Sequence, residues 1–148
     1  MHPVIVMPET PGLQMRKAIS QPLTTFNARA AEQPVDYRPL ALLLKDPESS
    51  EIVGGLWADT AFTQLHIDLL FVPETLRGSG LGARFVTLAE EEARRRGCMA
   101  AWLDTFSFQA RGFYEKLGYE AFGIIEAYPP GHSRIFMKKR FDGLPKSR

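Results

Sequence analysis

A glycine-rich turn between an apolar segment and a helix-like stretch is the part of this chain whose residue types most clearly suggest chemistry. The run Leu69–Val72 leads through Pro73 into Arg77–Gly82, where three of six residues are glycine. Such a turn exposes backbone N–H groups, and the helix that follows adds the positive end of its dipole. We therefore predict an anion-binding site, with charge from Arg77 and backbone donors from Gly78, Ser79, Gly80, Leu81, Gly82 and Ala83.

Glycine-rich turns also occur in sites of other kinds and as tight turns without a ligand. A nucleoside-triphosphate loop is excluded, because Ala83 and Arg84 stand where that motif has Lys and Ser or Thr. A dinucleotide-binding turn fits the pattern G-x-G-x-x-G/A over Gly78–Ala83, and Asp104 follows about 20 residues later. That fold begins with this unit and repeats it, whereas strands in an antiparallel pattern come first here. A tight turn whose glycines serve geometry alone also stays open.

The segments before the turn are predicted to form a strand, one or two helices and a hairpin. Val4–Met7 is β-rich, and apolar residues recur at helical spacing over Leu13–Ala31, with Pro22 as the break. Leu40–Lys45 and Ile52–Ala58 flank a polar turn, which predicts an antiparallel hairpin.

A strand, a helix and a second strand are predicted around the glycine-rich turn. A turn near Asp59-Thr60 leads to the apolar run Leu65–Val72, which predicts a central strand. An amphipathic helix spans Leu81–Arg96 and ends at Gly97. Because a helix connects them, Leu65–Val72 and Ala100–Thr105 are expected to be parallel, with Asp104 near the end of the second strand. Further elements are predicted over Gln109–Leu117 (helix), Tyr119–Ala127 and Ser133–Arg140 (paired strands).

Composition indicates one domain over residues 1–148, because 45% hydrophobic content is enough for one core. The formal net charge of +1 argues against nucleic acid or an anionic membrane as a partner. Cys98 is the single cysteine, so an intrachain disulfide and a multi-cysteine zinc site are excluded and no metal is expected. A single cysteine suits a reducing compartment, so we expect a cytoplasmic protein, and we find no secretory signal pattern or apolar run long enough to span a bilayer.

Two motifs resemble those of the GNAT superfamily of N-acetyltransferases. Arg77–Gly82 matches the pattern Q/R-x-x-G-x-G/A, and Phe113–Tyr119 is similar to the family segment F-Y-x-x-x-G-F. The resemblance covers about residues 40–140. It implies an α/β (α+β) fold with a mixed, mostly antiparallel central sheet, in which a parallel, splayed strand pair holds acetyl-CoA, and helices on the flanks. It also implies an acetyl-CoA-dependent transferase, with a homodimer as a further expectation.

Coenzyme A has a pyrophosphate and a pantetheine arm with two amides, so it needs N–H donors and unpaired strand backbone. The glycine-rich turn would bind the pyrophosphate, and the backbone of Phe71 and Val72 would pair with the amides until Pro73 ends the strand. In the family, a polar side chain near the start of the helix that follows the second parallel strand contacts the cofactor. By that resemblance Gln109 takes this role, and Ser107 is predicted to cap the helix.

Acetyl transfer to an amine requires a base, a donor to the thioester oxygen and a proton for the departing thiolate. By resemblance, Tyr114 donates the proton to sulfur, and the Val72 N–H polarises the carbonyl. His66 and Asp68 alternate along the central strand, so they are expected to share a face with Leu70 and Val72 and to supply the base.

The acceptor is predicted to be a primary amine of a small molecule. Its binding surface would come from Leu23–Phe26 and from the loop Tyr128–Ser133. A protein or peptide acceptor and a non-catalytic acyl-CoA sensor remain alternatives.

Overall fold

Residues 1–141 are described by a computed structural model, in which Met1–Val35 and the residues from Asp36 onward form two separate units. The first unit contains one helix, α1 (Leu13–Ala31), and none of its side chains is buried. Pro22 lies inside α1, so the predicted break at Pro22 is wrong. Proline removes one helical hydrogen bond, but the residues on both sides keep their helical conformation.

The predicted strand Val4–Met7 is also wrong, because residues 1–12 contain neither helix nor strand and are exposed. A short β-rich run is stabilised mainly by its partner strand and by burial of one face. Pro3 and Pro8 flank these four residues, and a proline has no N–H to donate to a sheet.

The second unit contains a six-stranded sheet in the order β1-β2-β3-β4-β6-β5. Every neighbouring pair is antiparallel except β3 and β4, which are parallel, so the predicted mixed sheet with one parallel pair is confirmed. The strands are β1 (Arg38–Lys45), β2 (Ile52–Ala61), β3 (Gln64–Phe71), β4 (Ala100–Phe106), β5 (Glu120–Glu126) and β6 (Ser133–Arg140), and the helices are α2 (Leu81–Arg95) and α3 (Arg111–Lys116).

The turn between β2 and β3 lies later than predicted. Thr60 is a buried strand residue, and its hydroxyl receives a hydrogen bond of 3.1 Å from Arg96. The chain turns instead at Phe62 and Thr63, whose φ angles of 48° and 58° are positive. The predicted turn near Asp59-Thr60 is wrong because burial and pairing override the turn preference of these residue types.

Helix α2 packs one apolar face against the sheet and connects the two parallel strands. Phe85, Val86, Ala89 and Ala93 belong to the same buried core as residues of β1 to β4 and β6. At its C-terminus, Gly97 has a φ of 84°, and the N–H groups of Gly97 and Cys98 donate to the last carbonyls of the helix. The predicted glycine stop is confirmed.

A β-bulge interrupts the regular alternation of β3. Trp57 pairs with Leu69 and Ala58 pairs with Ile67, so Asp68 is an extra residue. Leu70 therefore lies on the same face as Leu65 and Ile67. The prediction that His66, Asp68, Leu70 and Val72 share one face is wrong, because one additional residue reverses the alternation beyond it.

The parallel strands separate halfway along their length. Their pairing runs from Gln64 with Ala100 to Ile67 with Leu103 and ends there. Beyond this point β3 stays paired with β2, while β4 continues alongside β6 as far as Phe106. The predicted splayed pair is confirmed, and the structure shows a gap between the two strand ends.

Candidate active site

A cavity of about 990 Å³ occupies the gap between β3 and β4. Its walls are the end of β3, the glycine-rich turn, the end of β4 and the segment that leads into α3. The predicted site residues that line this cavity are Asp68, Phe71, Val72, Arg77, Gly78, Gly80, Leu81, Gly82, Ala83, Gln109 and Tyr114. His66 and Ser79 are not among the lining residues.

The glycine-rich turn presents unpaired backbone donors to the cavity. Gly78 and Gly80 have φ angles of 81° and 84°, a conformation that strongly favours glycine. The first helical hydrogen bond of α2 runs from the Arg84 N–H to the Gly80 carbonyl at 3.0 Å. The N–H groups of Leu81–Ala83 precede this bond, so the helix itself gives them no acceptor. Ser79 supports the turn by donating from its hydroxyl to the Leu76 carbonyl.

Gly82 brings the start of α2 close to α3. A Cβ atom at Gly82 would lie 3.1 Å from Cζ of Phe113, which also lines the cavity. The absent side chain thus lets the Phe113 ring pack against the first turn of α2. This contact joins the two sequence motifs from which the site was predicted.

Arg77 connects the turn to the end of β3. Its Nε donates a hydrogen bond of 3.0 Å to the Val72 carbonyl. Val72 follows the last strand residue and has no registered partner in β2 or β4. Because Arg77 occupies this carbonyl, a ligand at Val72 would be bound through the N–H, and the terminal guanidinium nitrogens remain available to an anion.

Tyr114 lies on α3 with only 8% of its surface exposed. Its ring contacts those of Phe113 and Tyr119 edge to face, with centroid distances of 5.0 and 6.0 Å. The hydroxyl has no hydrogen-bond partner within residues 1–141. Burial, followed by the nearby Asp104 carboxylate, raises the pKa of Tyr114 to about 12. The phenol is therefore protonated at neutral pH and can act as a proton donor.

Gln109 faces the cavity with its carbonyl oxygen already engaged. This oxygen accepts hydrogen bonds from the Thr105 hydroxyl at 3.1 Å and the Phe106 N–H at 2.8 Å. The amide nitrogen of Gln109 is left as the donor for a ligand. The predicted cap at Ser107 is wrong, because α3 begins only at Arg111 and the Ser107 hydroxyl accepts instead from the Ser133 N–H at 2.9 Å.

The structure brings only one of the two candidate bases to the cavity. Asp68 is exposed and lines it. His66 stacks on Trp102 at 4.0 Å, and its Nδ1 lies 3.8 Å from a carboxylate oxygen of Asp59. The Nε2 atom of His66 is buried and has no partner within the described residues.

Sequence reasoning missed Asp104 and Phe108 as lining residues. Asp104 does not end its strand, because β4 continues to Phe106. It is the first residue of β4 beyond the pairing with β3, and the Nε of Arg134 donates to it at 2.7 Å. Their positions in the sequence could have indicated this, because both residues follow the parallel part of β4 and ligands bind beyond the carboxyl ends of parallel strands.

Two kinds of feature are absent from residues 1–141. No three or more His, Cys, Asp or Glu side chains come together as metal ligands. Over the same residues, no helix has both the length and the apolar character needed to cross a bilayer.

Comparison with known proteins gives consistent matches. The model of the acetyltransferase (GNAT) family matches residues 14–119. An acetyltransferase of Agrobacterium fabrum is 38% identical over 92% of this chain and 98% of its own length. The blasticidin-S acetyltransferase of Streptomyces morookaense is 44% identical over 57% of this chain and 62% of its own length.

Solved structures share the fold. The crystal structure of an acetyltransferase from Agrobacterium tumefaciens has a TM-score of 0.85 at 36% identity, covering 93% of this chain and 99% of that one. An aminoglycoside 6′-N-acetyltransferase in complex with coenzyme A has a TM-score of 0.63 at 21% identity, covering 88% and 89%. At that identity the second match indicates the fold alone.

Proposed function

Because this chain belongs to the GNAT family of acetyltransferases, we propose that it moves an acetyl group from acetyl-CoA to a primary amine of a small molecule. One observation carries the proposal. The unpaired N–H groups at the start of α2 and the protonated Tyr114 lie on one cavity, between strands that have separated. An anion-binding end and a proton donor are the two features that an acyl thioester requires.

Acetyl-CoA would bind with its pyrophosphate on the N–H groups of Leu81–Ala83 and on Arg77. The pantetheine arm would run past the end of β3 at Phe71 and Val72, with the Gln109 amide as an additional donor. Of these two residues only Val72 is without a sheet partner, since Phe71 pairs with Gly55 of β2 and the expectation that its backbone is unpaired is wrong. The Val72 N–H would donate to the thioester carbonyl and polarise it. The Val72 carbonyl is not available to a ligand, because Arg77 already donates to it.

The reaction needs three proton transfers around one substitution. The bound ammonium first releases one proton to water, and the neutral amine then attacks the thioester carbonyl, so that a C–N bond forms and the C–S bond breaks. One proton of the attacking nitrogen then passes to Asp68, directly or through water, and the Tyr114 hydroxyl gives its proton to the sulfur. Asp68 is favoured over His66 as the base, because only Asp68 lines the cavity.

The proposal of a small-molecule acceptor is supported by the name of one similar protein. Blasticidin-S acetyltransferase is named for a small molecule and is 44% identical over 85 residues. A protein or peptide acceptor and a non-catalytic acyl-CoA sensor are the competing hypotheses. We also propose a cytoplasmic homodimer. Light scattering with size exclusion would test the dimer, and fractionation of the native cells would test the location.

The decisive experiment follows thiol release from acetyl-CoA with a chromogenic disulfide. Purified protein would be tested against primary amines and against peptides with free N-termini or lysines. Calorimetry with coenzyme A would be run in parallel. Binding with turnover of small amines supports the proposal, and turnover of peptides alone would replace it with a protein acetyltransferase. Binding without any turnover would favour a sensor.

A further inference from the structure

The charged side chains on the cavity are separated by sign. Asp68, Arg77 and Asp104 are the charged residues that line it within the described chain. Arg77 lies at the glycine-rich turn, whereas Asp68 and Asp104 each follow the last β3–β4 pair, Ile67 with Leu103. The cavity thus has a cationic end for phosphate and two carboxylates where the strands diverge, of which Asp104 is paired with Arg134.

Asp104 keeps one carboxylate oxygen unused. Both contacts from Arg134, by Nε at 2.7 Å and by a terminal nitrogen at 2.5 Å, go to Oδ1. Oδ2 has no hydrogen-bond partner among residues 1–141, and the side chain is 19% exposed. A terminal nitrogen of Arg134 also donates to the Tyr128 hydroxyl at 2.8 Å, which holds the guanidinium in place. Asp104 is therefore a fixed carboxylate that lines the cavity and has one oxygen without a partner among the described residues.

An exposed aromatic ring lines the same cavity as this carboxylate. Phe108 lines the cavity with 56% of its surface exposed. Its ring stacks on Phe106 at 5.1 Å with an interplanar angle of 8°, and it meets His132 edge to face at 5.0 Å. Phe106 is held in turn by Arg134, whose guanidinium lies 5.3 Å from the ring centre. A large apolar ring that is held on one side and open on another is suited to stacking with a ligand.

We propose that the acceptor is a primary amine carried on a flat, unsaturated ring, with its ammonium group on Asp104 and its ring against Phe108. The inference rests on the proposed function and specifies its substrate class. Both groups lie on the β4 side of the cavity, across from the backbone of Phe71 and Val72 where the acyl donor would lie. Tyr114, the proposed proton donor to the sulfur, lines the same cavity, and the Asp104 carboxylate contributes to its raised pKa. A linear polyamine would use the carboxylates and leave the Phe108 ring without a partner.

The test compares benzylamine with cyclohexylmethylamine, which has a saturated ring of similar size and the same amine. Binding of each amine to the coenzyme A complex is measured by calorimetry, and turnover with acetyl-CoA is measured separately. We expect benzylamine to bind about threefold to tenfold more tightly, because stacking favours the flat ring. Equal or weaker binding of benzylamine would overturn the inference, even where both amines are acetylated.

Two variants assign the preference to the proposed residues. Phe108→Leu should bring the ratio of the two affinities close to one, whereas Phe122→Leu, an exposed aromatic change on β5 outside the cavity lining, should keep it. Asp104→Asn should weaken the binding of both amines by about tenfold or more, because a charge-assisted hydrogen bond is lost. Coenzyme A affinity and the unfolding temperature serve as the folding check. Absence of coenzyme A binding in the folded wild type would instead refute the proposed function, and an unchanged ratio in Phe108→Leu would refute the inference alone.

Discussion

The guanidinium Nε of Arg77 donates to the carbonyl oxygen of Val72, and this single bond fastens the glycine-rich turn to the end of β3. The two segments that would hold the phosphates and the thioester therefore form one unit. Loss of the Arg77 side chain would remove a positive charge and also release the Val72 peptide.

Arg77→Ala is accordingly expected to raise the dissociation constant of acetyl-CoA by about tenfold or more, the range for loss of a charge-assisted hydrogen bond. Calorimetry measures this directly. Arg84→Ala, a substitution of an exposed arginine one turn into α2 that does not line the cavity, is the matched control and should stay within about twofold. Equal losses in the two variants would indicate a general charge effect instead.

Tyr114→Phe should lower kcat by about 100-fold or more, because the thiolate loses its proton donor. The affinity for acetyl-CoA should change little. Since the pKa of Tyr114 is raised to about 12, its ionisation should not reduce kcat of the wild type below about pH 11. Steady-state and pre-steady-state kinetics over a series of pH values would measure kcat and its pH dependence. The raised pKa of Tyr114 would be contradicted if the wild-type kcat fell between pH 8 and 10 and this fall were absent from the Tyr114→Phe variant.

Gly54→Ala should damage the end of β3, because a Cβ atom at Gly54 would lie 2.5 Å from the Phe71 carbonyl oxygen. Backbone has to move to relieve this clash, so we expect a loss of about 1–3 kcal/mol in the free energy of unfolding and weaker acetyl-CoA binding. Denaturant titration and calorimetry measure the two effects. Gly112→Ala is the matched control: its Cβ meets nothing within 4 Å, and it should be neutral or slightly stabilising.

The buried pair Tyr119 and Glu90 should make the protein sensitive to alkaline pH. The Tyr119 hydroxyl donates to the Glu90 carboxylate at 2.8 Å, and burial together with Glu90 raises the pKa of Tyr119. A raised pKa in the folded state means that stability is complete below the unfolded value of about 10 and is lost above it. The free energy of unfolding should therefore decrease above pH 10.

Tyr119→Phe provides the comparison for this pH effect. It should cost about 1–2 kcal/mol at neutral pH, because Glu90 loses a buried partner but keeps Lys139 at 2.9 Å. Its alkaline loss of stability should be smaller than in the wild type. Identical alkaline slopes in the two proteins, measured by denaturant titration, would show that another group is responsible.

The elements near the glycine-rich turn could be predicted from sequence because their determinants are local. Glycines at positive φ and the amphipathic pattern of α2 reside within a few residues of each other, and a helix between two strands implies a parallel pair. Gly80 and Gly97, at the two ends of α2, both have the positive φ that such positions favour.

The sequence predictions were wrong at positions whose structure depends on residues far away in the chain. The bulge at Asp68 depends on how β2 pairs with β3, and a single strand sequence does not contain that register. Thr60 stays in β2 because it is buried and bound by Arg96, which is 36 residues away. Ser107 is used by Ser133, at the start of β6, rather than by the helix that follows it. Tertiary contacts outweighed local preference at all three positions.

The sheet of the second unit is joined across its middle by four residue pairs, from Gln64 with Ala100 to Ile67 with Leu103. On one side, β1 to β3 carry the strand edge and turn suited to coenzyme A. On the other side, β4, β6 and β5 carry Asp104 and the aromatic residues beside it. Under the proposed function, substitutions at Asp104 and Phe108 would therefore change which acceptor is modified while the phosphate-binding turn and the end of β3 stay the same, so that new specificities can arise on an existing donor site.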